Sequence, residues 1–280
     1  MVFGISPYGI CALSDSRALK MGLNEDITTA IGRTLKAKLV VRDGRKVPEK
    51  SDLTFLNGGG GVRLDATYAY ADLADSSGLA QRVKQEVAAN VIRAYVHAAA
   101  KIFRFYGGEI RSFDGDRVMA VFVGEQKNGL AVRAALALNW AVDKVINPIM
   151  YETWSDMSQI WKMKHAIGVA TGEALIVRGG VFGDSDMISI GGAPNIAAKL
   201  SELRPVSPHY GPQYSIYITE EVYGDLPEAV RFGQAPVPIC YSYLGQGAEP
   251  ARVDMWDPLG QHRVGGTGVW VRGSSFQWEP

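Results

Sequence analysis

The order of apolar patterns between residues 62 and 222 constrains the fold more than any other feature of this sequence. A strand pattern, DATYAYADLA, comes first, and a long segment with helical periodicity follows it. Two short apolar runs then flank an Asp-Gly-Asp sequence, and a second helical segment precedes the pattern HAIGVATGEALIV. This β-α-β-β-α-β order predicts an α+β fold of the ferredoxin-like kind, with an antiparallel sheet and helices on one face.

The helices are predicted from the spacing of their apolar residues. Over the segment 76–106 these residues recur at helical spacing, Ser76 or Ser77 can cap the start, and two glycines follow the end. A second amphipathic helix is expected over about 130–149, and Pro148 marks its limit. EDITTAIGRTLKAKL and NIAAKLSEL predict shorter helices, whereas HAIGVATGEALIV predicts a strand, a glycine turn and a second strand.

The glycine run NGGGG at 57–61 predicts a hinge before this core. We therefore expect an N-terminal extension at 1–61, a core domain at 62–222 and a C-terminal extension at 223–280. The C-terminal extension is rich in proline and tryptophan, and we assign it to edge strands or dimer contacts.

Composition and charge exclude several classes of protein. The 29 lysines and arginines balance 29 aspartates and glutamates, so no net field favours binding to nucleic acid or anionic lipid. Two cysteines, Cys11 and Cys240, make neither a disulfide framework nor a zinc cluster. The opening residues lack the basic start of a signal peptide, and no apolar run reaches the ~20 residues of a membrane span. We expect a cytoplasmic protein with neither nucleic acid nor membrane as a partner.

Two carboxylates are expected to meet at one end of the sheet. Asp-Gly is a strong hairpin signal, and a turn alone would account for the string SFDGDRVMAVF. However, the first and third strands of a ferredoxin-like sheet are neighbours, so Asp72 at the end of the first strand should lie beside Asp116 at the start of the third. Carboxylates this close favour a divalent cation, and two cations such as Mg²⁺ or Mn²⁺ suit phosphoryl or nucleotidyl transfer.

Four strings in this order resemble the class III nucleotidyl cyclases: YADLADSS, GGEIRSFDGDRVMAVF, HAIGVATGEALIV and GGAPNIAAKLSEL. The resemblance covers the whole 62–222 core and implies that this core is a catalytic domain. It implies two divalent metals, Mg²⁺ or Mn²⁺, per active site, held at Asp72, Leu73 and Asp116. In this family the 3′-hydroxyl of a nucleoside triphosphate attacks its own α-phosphorus and expels pyrophosphate.

The resemblance also implies which residues stabilise the transition state. The family's helix motif Asn-x-x-Ala-Arg appears here as Asn195 to Lys199, so a lysine replaces the arginine. This keeps the positive charge on the same helix face but loses the two-pronged donor. In the family these residues reach the active site from the opposite protomer, which implies a head-to-tail homodimer with interfacial active sites.

The predicted base pocket departs most from the family. Adenylate cyclases carry lysine and either aspartate or threonine at the positions of Ser112 and Ile188, and guanylate cyclases carry glutamate and a small residue there. Neither purine therefore has its usual hydrogen-bond partners. Because Ile188 removes an acceptor for an exocyclic amine, we rank UTP above CTP, and both above ATP and GTP. The chain is similar to the bacterial Pycsar cyclases, which make cyclic UMP or cyclic CMP in defence against phage.

The residues expected to bind the phosphates match the family motifs less well. Ser76 and Ser77 are assigned to substrate binding, although Asp75 and Ser76 replace the glycine and aromatic residue of the family, and the segment YLGQG lacks its lysine. The candidate cations for the β- and γ-phosphates are Arg111, Arg117 and Arg178.

Three alternatives stay open. The first is a purine cyclase with an unusual base pocket, and the second is a cyclase-fold module that senses nucleotides or dimerises without catalysis. The third comprises diguanylate cyclases and polymerase palm domains, which share the core and the paired acids but lack the Asn-x-x-Ala-Lys helix.

Overall fold

A computed structural model describes residues 15–53, 59–181, 183–203, 214–234, 252–264 and 267–280. The predictions for Cys11, Cys240 and the segment YLGQG fall outside these residues, as do Asn57 and Gly58 of the predicted glycine hinge, whereas Gly59, Gly60 and Gly61 of that run are described. None of the described helices is both long and apolar enough to cross a membrane.

A mainly antiparallel sheet forms the centre of the described structure. Its strands are β1 (Val40–Asp43), β2 (Gly60–Ala74), β3 (Glu109–Asp114), β4 (Arg117–Phe122), β5 (Lys164–Gly180), β6 (Ser185–Gly191), β7 (Ile216–Thr219), β10 (Asp257–Val264) and β11 (Thr267–Ser274). The main path runs β10-β11-β7-β5-β2-β4-β3, while β1 pairs with β2 and β6 pairs with β5. A separate two-stranded sheet joins β8 (Phe232–Gln234) to β9 (Arg252–Asp254).

The helices connect these strands. They are α1 (Asp15–Lys36), a 3₁₀ turn (Lys50–Asp52), α2 (Ser76–Arg82), α3 (Gln85–Phe105), α4 (Lys127–Ala141), a π-helical segment (Val142–Ile146), α5 (Asn147–Thr153), α6 (Met157–Ile160), α7 (Gly192–Ser201), α8 (Glu220–Gly224) and α9 (Glu228–Arg231). The α3 helix forms because its buried residues Ala88, Val91, Tyr95, Ala99 and Phe103 recur every three or four positions.

Alternation along the strands divides the side chains between two faces of the sheet. Ala69, Ala71 and Leu73 of β2 point to the core beneath α3 and α4. Tyr68 and its neighbours at even positions point to the opposite face, which α7 and a segment around Leu53 cover in part. The predicted α+β fold with an antiparallel sheet is confirmed, and α7 adds a helix on the second face.

Three local predictions are wrong. The strand β5 does not turn at Gly172, because its pairing with β2 continues without a break from Lys164 to Val177. The predicted helix over 76–106 is interrupted at the extended residues Val83 and Lys84, where a β-branched side chain has low helix preference. Pro148 lies in the first turn of α5, where its missing N–H is tolerated, so the helical segment continues beyond it.

The C-terminal residues extend the main sheet. Residues of β11 pair antiparallel with β7, and β10 pairs with β11 at the outer edge. The side chain of Asn139 on α4 donates hydrogen bonds to the carbonyls of Ser275 and Phe276, at 3.0 and 2.8 Å. Of the C-terminal strands, β10 lies at the edge of the sheet and β11 lies between β10 and β7. The division of the chain into three regions stays a prediction.

Candidate functional site

The two predicted metal-binding carboxylates lie at one end of the sheet. The pairing of β2 with β4 places Asp72 directly opposite Arg117, so Asp116 lies in the β3–β4 turn, one residue further along. Asp72 is 9% exposed, and Asp116 is half-buried. Because side chains alternate along β2, Asp72 points to the same face as Tyr68 and Tyr70. The structure thus places the two strand ends side by side.

Leu73 points to the other face of the sheet. Its side chain is buried in the core beneath α3, so only its main-chain carbonyl could bind a metal. Within the described residues, no group of three or more His, Cys, Asp or Glu side chains is placed to hold a metal ion. Asp72, Leu73 and Asp116 would therefore supply part of a coordination shell. This pattern suits Mg²⁺, which usually keeps waters and binds substrate phosphates.

Arg117 connects Asp72 to the end of α7. Its Nε lies 3.5 Å from Oδ1 of Asp72, and its Nη2 lies 3.2 Å from Oε1 of Glu202. The other oxygen of Glu202 accepts a hydrogen bond of 2.8 Å from Lys199. Burial alone would lower the pKa of Arg117, but the charges of Asp72 and Glu202 raise it. Four charged side chains thus form a continuous chain between the predicted metal site and the predicted transition-state lysine.

The two serines predicted to bind substrate lie at the start of α2. Ser76 and Ser77 are already helical, and Asp75 precedes them with a φ of 59° and no capping hydrogen bond. The predicted serine cap is therefore wrong. The carboxylate of Asp75 instead forms an ion pair of 3.1 Å with Arg82. It also lies against Gly78, where an added Cβ would come within 2.1 Å of Oδ1.

A cleft of about 410 Å³ opens beside Asp75. Three basic side chains line it: Arg82, Lys162 and Lys164. Sequence reasoning missed these cations, although the basic residues in WKMKHAIG stand immediately before a strand that carries a family motif.

An irregularity in β3 orients residues near the predicted base pocket. Ile110 pairs with Ala120 and Ser112 pairs with Met119, so Arg111 is the extra residue of a β-bulge. The side chain of Arg111 is 14% exposed and forms an ion pair of 2.6 Å with Glu109. Met119 belongs to the α7 face, so its partner Ser112 also faces that side.

Tyr68 lies in the middle of this face and is fully buried. Burial raises the pKa of Tyr68, while the nearby Ser189 hydroxyl and the charge of Arg111 partly offset that rise. Among the described residues, neither the Tyr68 hydroxyl nor the Arg111 Nε has a hydrogen-bond partner of good geometry. These polar atoms thus lie on the face of the sheet to which Ser112 also points. The sequence signal for Tyr68 was the alternation of Tyr68, Tyr70 and Asp72 along β2.

Ile188 lies on β6, where it is 48% exposed and pairs with Val177. The neighbouring Ser189 pairs with Ile176, which is buried on the face of Tyr68. Within one chain, Ser189 therefore points toward Tyr68 and Ile188 points away from it. The assignment of Ile188 to the base pocket stays a prediction.

Asn195 and Lys199 are exposed and lie one helical turn apart on α7. The buried residues Ala197 and Leu200 attach the opposite side of α7 to the sheet. No hydrogen bond joins Asn195 to Asp72 among the described contacts. Among the described contacts, Lys199 is connected to Asp72 through Glu202 and Arg117.

The other two arginines that were candidates for phosphate binding lie elsewhere. Arg111 is turned to Glu109 and Tyr68 on the α7 face. Arg178 donates a hydrogen bond of 2.9 Å to Ser185 near the tip of the β5–β6 hairpin.

Solved structures with a similar fold are cyclase domains. The adenylyl cyclase CyaB from P. aeruginosa matches with a TM-score of 0.56 and 20% identity over 76% of this chain and 95% of its own. The guanylyl cyclase Cya2 matches with a TM-score of 0.57 and 16% identity over 79% of this chain and 96% of its own. At these identities the likeness establishes the fold alone.

Sequence relatives are closer. A uridylate cyclase from Rhodovulum sp. (strain MB263) is 38% identical over 204 residues, which are 72% of this chain and 82% of the relative. A uridylate cyclase from Burkholderia cepacia is 31% identical over 92% of this chain and 99% of the relative. No protein-family model matches the chain. The extent of these two matches shows that the chain is a nucleotidyl cyclase and belongs to the uridylate cyclase family.

Proposed function

We propose that the protein converts UTP into 3′,5′-cyclic UMP and pyrophosphate, with two divalent metals bound at Asp72, Leu73 and Asp116. The observation that supports this proposal most strongly is that the buried Asp72 lies beside Asp116 on adjacent strand ends. The chain is also related to uridylate cyclases. Bound Mg²⁺ or Mn²⁺ would lower the pKa of the attacking 3′-hydroxyl and hold the leaving phosphates.

The residues of the chain fit such metals. Asp72 is nearly buried, so a cation bound at its carboxylate would be poorly screened by water and strongly attracted. Asp116 and the carbonyl of Leu73 can add oxygen ligands at the same edge of the sheet. The cations Arg82, Lys162 and Lys164 line the neighbouring cleft and can attract the triphosphate. Lys199 then supplies a point charge for the developing negative charge on phosphorus oxygens.

The polar atoms on the α7 face support uracil as the base. Arg111 Nε is a donor without a partner among the described residues, and the Tyr68 hydroxyl, which has the Ser189 hydroxyl nearby, is both a donor and an acceptor. Uracil offers two carbonyl acceptors and one N–H donor, so it can satisfy both. Cytosine and adenine present an amine where uracil has a carbonyl, and an amine would face the Arg111 donor unpaired. This asymmetry favours UTP over CTP and ATP.

A homodimer with interfacial active sites would complete the proposed enzyme. Asn195 and Lys199 are exposed on α7, and Lys199 connects to Asp72 of its own chain indirectly, through Glu202 and Arg117. Residues so placed can act in the site of a second protomer, as the family pattern implies. We further propose, from the similarity to Pycsar cyclases, that the product is a signal in bacterial defence against phage.

Incubation of the purified protein with each of the four nucleoside triphosphates and Mn²⁺ tests the proposed reaction. Mass spectrometry should identify cyclic UMP as the dominant product, and Asp116→Ala should yield none. Dominant cyclic CMP would correct only the base, whereas cyclic AMP or cyclic GMP would overturn the choice of a pyrimidine. A well-folded protein that makes no cyclic nucleotide would favour the alternative of a nucleotide-sensing module.

A further inference from the structure

Arg117 stands between carboxylates from two different elements. Its guanidinium contacts Asp72 of β2 at 3.5 Å and Glu202, directly after α7, at 3.2 Å. The side chains of Arg117 and Asp72 are only 23% and 12% exposed. This contact is therefore less hydrated than an ordinary surface ion pair, which contributes little.

Two features of the backbone fix this arrangement. The register of β2 and β4 places Asp72 opposite Arg117. The helix α7 crosses β5 so closely at Gly168 that an added Cβ would lie 2.1 Å from the carbonyl oxygen of Ala197. This close crossing brings the C-terminal end of α7, and with it Glu202, beside the strand end. Arg117 is consequently held at the predicted metal site by the fold.

A metal ion and Arg117 would compete for the carboxylate of Asp72. Each would neutralise the same carboxylate, and a divalent cation bound at Asp72 would repel the adjacent guanidinium. The contact between Arg117 and Asp72 therefore has to break or weaken when a metal ion binds. The triphosphate that accompanies the metal brings phosphate oxygens, which an arginine fork binds well.

We propose that Arg117 is the counter-ion of the metal-free site, and that it turns from Asp72 to the phosphates of the nucleotide when metal and substrate bind. This inference rests on the proposed metal site. Glu202 keeps hold of the guanidinium during this exchange and so acts as a positioning residue. The proposal also assigns a phosphate-binding role to one of the three arginines, because Arg111 and Arg178 contact other partners.

Binding of Mn²⁺ alone to the full chain tests the first half of the proposal. Electron paramagnetic resonance of free Mn²⁺ gives the affinity without any turnover. Arg117→Gln should bind Mn²⁺ about three- to tenfold more tightly than the unmutated chain, because a competing charge is gone. The matched control is Arg63→Gln, since Arg63 also pairs with an aspartate, Asp43 at 3.7 Å, but on an exposed part of β2. The control should bind Mn²⁺ as the unmutated chain does.

Binding of inorganic pyrophosphate in saturating Mn²⁺ tests the second half. Calorimetry should show about tenfold weaker binding for Arg117→Gln. Arg117→Lys keeps the charge but loses the fork, so its Mn²⁺ affinity should stay near that of the unmutated chain while its pyrophosphate affinity falls. This variant also decides the question if Arg117→Gln does not fold.

The outcomes separate this inference from the proposed function. If Asp72→Ala binds Mn²⁺ as well as the unmutated chain, the proposed metal site itself is wrong. If Mn²⁺ binding depends on Asp72 but Arg117→Gln leaves both affinities unchanged, the metal site stands and the role of Arg117 is overturned. Weaker Mn²⁺ binding by Arg117→Gln would likewise overturn it, because that result would make Arg117 a structural support of the site.

Discussion

Tyr68 and Arg111 are neighbours on the α7 face of the sheet, and each has a buried polar atom without a good hydrogen-bond partner among the described residues. If these atoms form hydrogen bonds with uracil, Arg111→Gln should lower kcat/KM for UTP by about 10- to 100-fold and change kcat/KM for CTP far less. Competition between the two nucleotides at equal concentration measures this ratio. Arg63→Gln is the control, and an unchanged UTP to CTP ratio in Arg111→Gln would contradict the assignment.

The turn between β3 and β4 provides a matched pair of carboxylates. Asp116→Ala should reduce turnover by about 10³-fold or more without unfolding the chain, because one of two proposed metal-binding carboxylates is lost. Asp114→Ala changes an exposed aspartate at the end of β3, directly before the same turn, and should retain most of the activity. Initial rates and circular dichroism check both variants. Equal losses in both would mean that the turn, and not a metal-binding carboxylate, matters.

Mixed dimers test whether active sites are shared between protomers. Asp72→Ala and Asn195→Ala should each be nearly inactive alone, whereas an equimolar mixture should recover about a quarter of the unmutated activity. Half of the dimers would be mixed, and each mixed dimer would contain one intact site. Subunit exchange is verified with two differently tagged chains. Exchange without recovery would show that each site lies within one chain.

The close crossing of α7 over β5 depends on Gly168. Gly168→Ala should lower the free energy of unfolding by about 1–3 kcal/mol, because the new Cβ would overlap the backbone of α7. It should also reduce turnover, since displacing α7 moves Lys199 and Glu202. Gly224→Ala is the control, because nothing lies within 4 Å of a Cβ at that position. Denaturant unfolding of the two variants gives the comparison, and equal stabilities would contradict the tight packing.

Tyr214 should make stability depend on alkaline pH. Burial and its hydrogen bond of 2.8 Å to Asp257 raise the pKa of Tyr214 to about 12. An unfolded tyrosine has a pKa of about 10, so the folded state holds this proton more tightly. The resulting stabilisation is complete below about pH 10 and is lost as the pH rises to about 12.

Denaturant unfolding at about pH 9 and about pH 11 measures this loss. Tyr214→Phe should show a smaller decrease between the two conditions. An identical decrease in the variant would assign the alkaline sensitivity to other groups.

Much of the site could be predicted because it depends on local signals and on topology. The Asp-Gly turn and the alternating residues of β2 are visible in the sequence, and the β-α-β-β order makes β2 and β4 neighbours. These facts suffice to bring Asp72 beside Asp116. The length of β5 was harder to predict. A glycine such as Gly172 ends a strand in one context and bends it in another, and the outcome depends on how far the partner strand extends.

The contacts of Arg117 could not be predicted from the sequence. They require the register of β2 and β4 and also the distance between α7 and β5, which depends on the absence of a side chain at Gly168. The β-bulge at Arg111 could not be predicted either, because one extra residue in β3 is recognised only when the pairing of β3 with β4 is known. Both features arise from pairing between distant segments.

The uninterrupted strand β5 limits how this enzyme can move. It is bonded to β2 from the end that carries Asp72 nearly to the tip of the β6 hairpin, so the middle of the sheet contains no hinge. We therefore expect the active site to open and close around a nucleotide through movements of groups next to the sheet, such as the guanidinium of Arg117 or the helix α7. Product release is expected to require shifts of side chains and helices while the sheet keeps its shape.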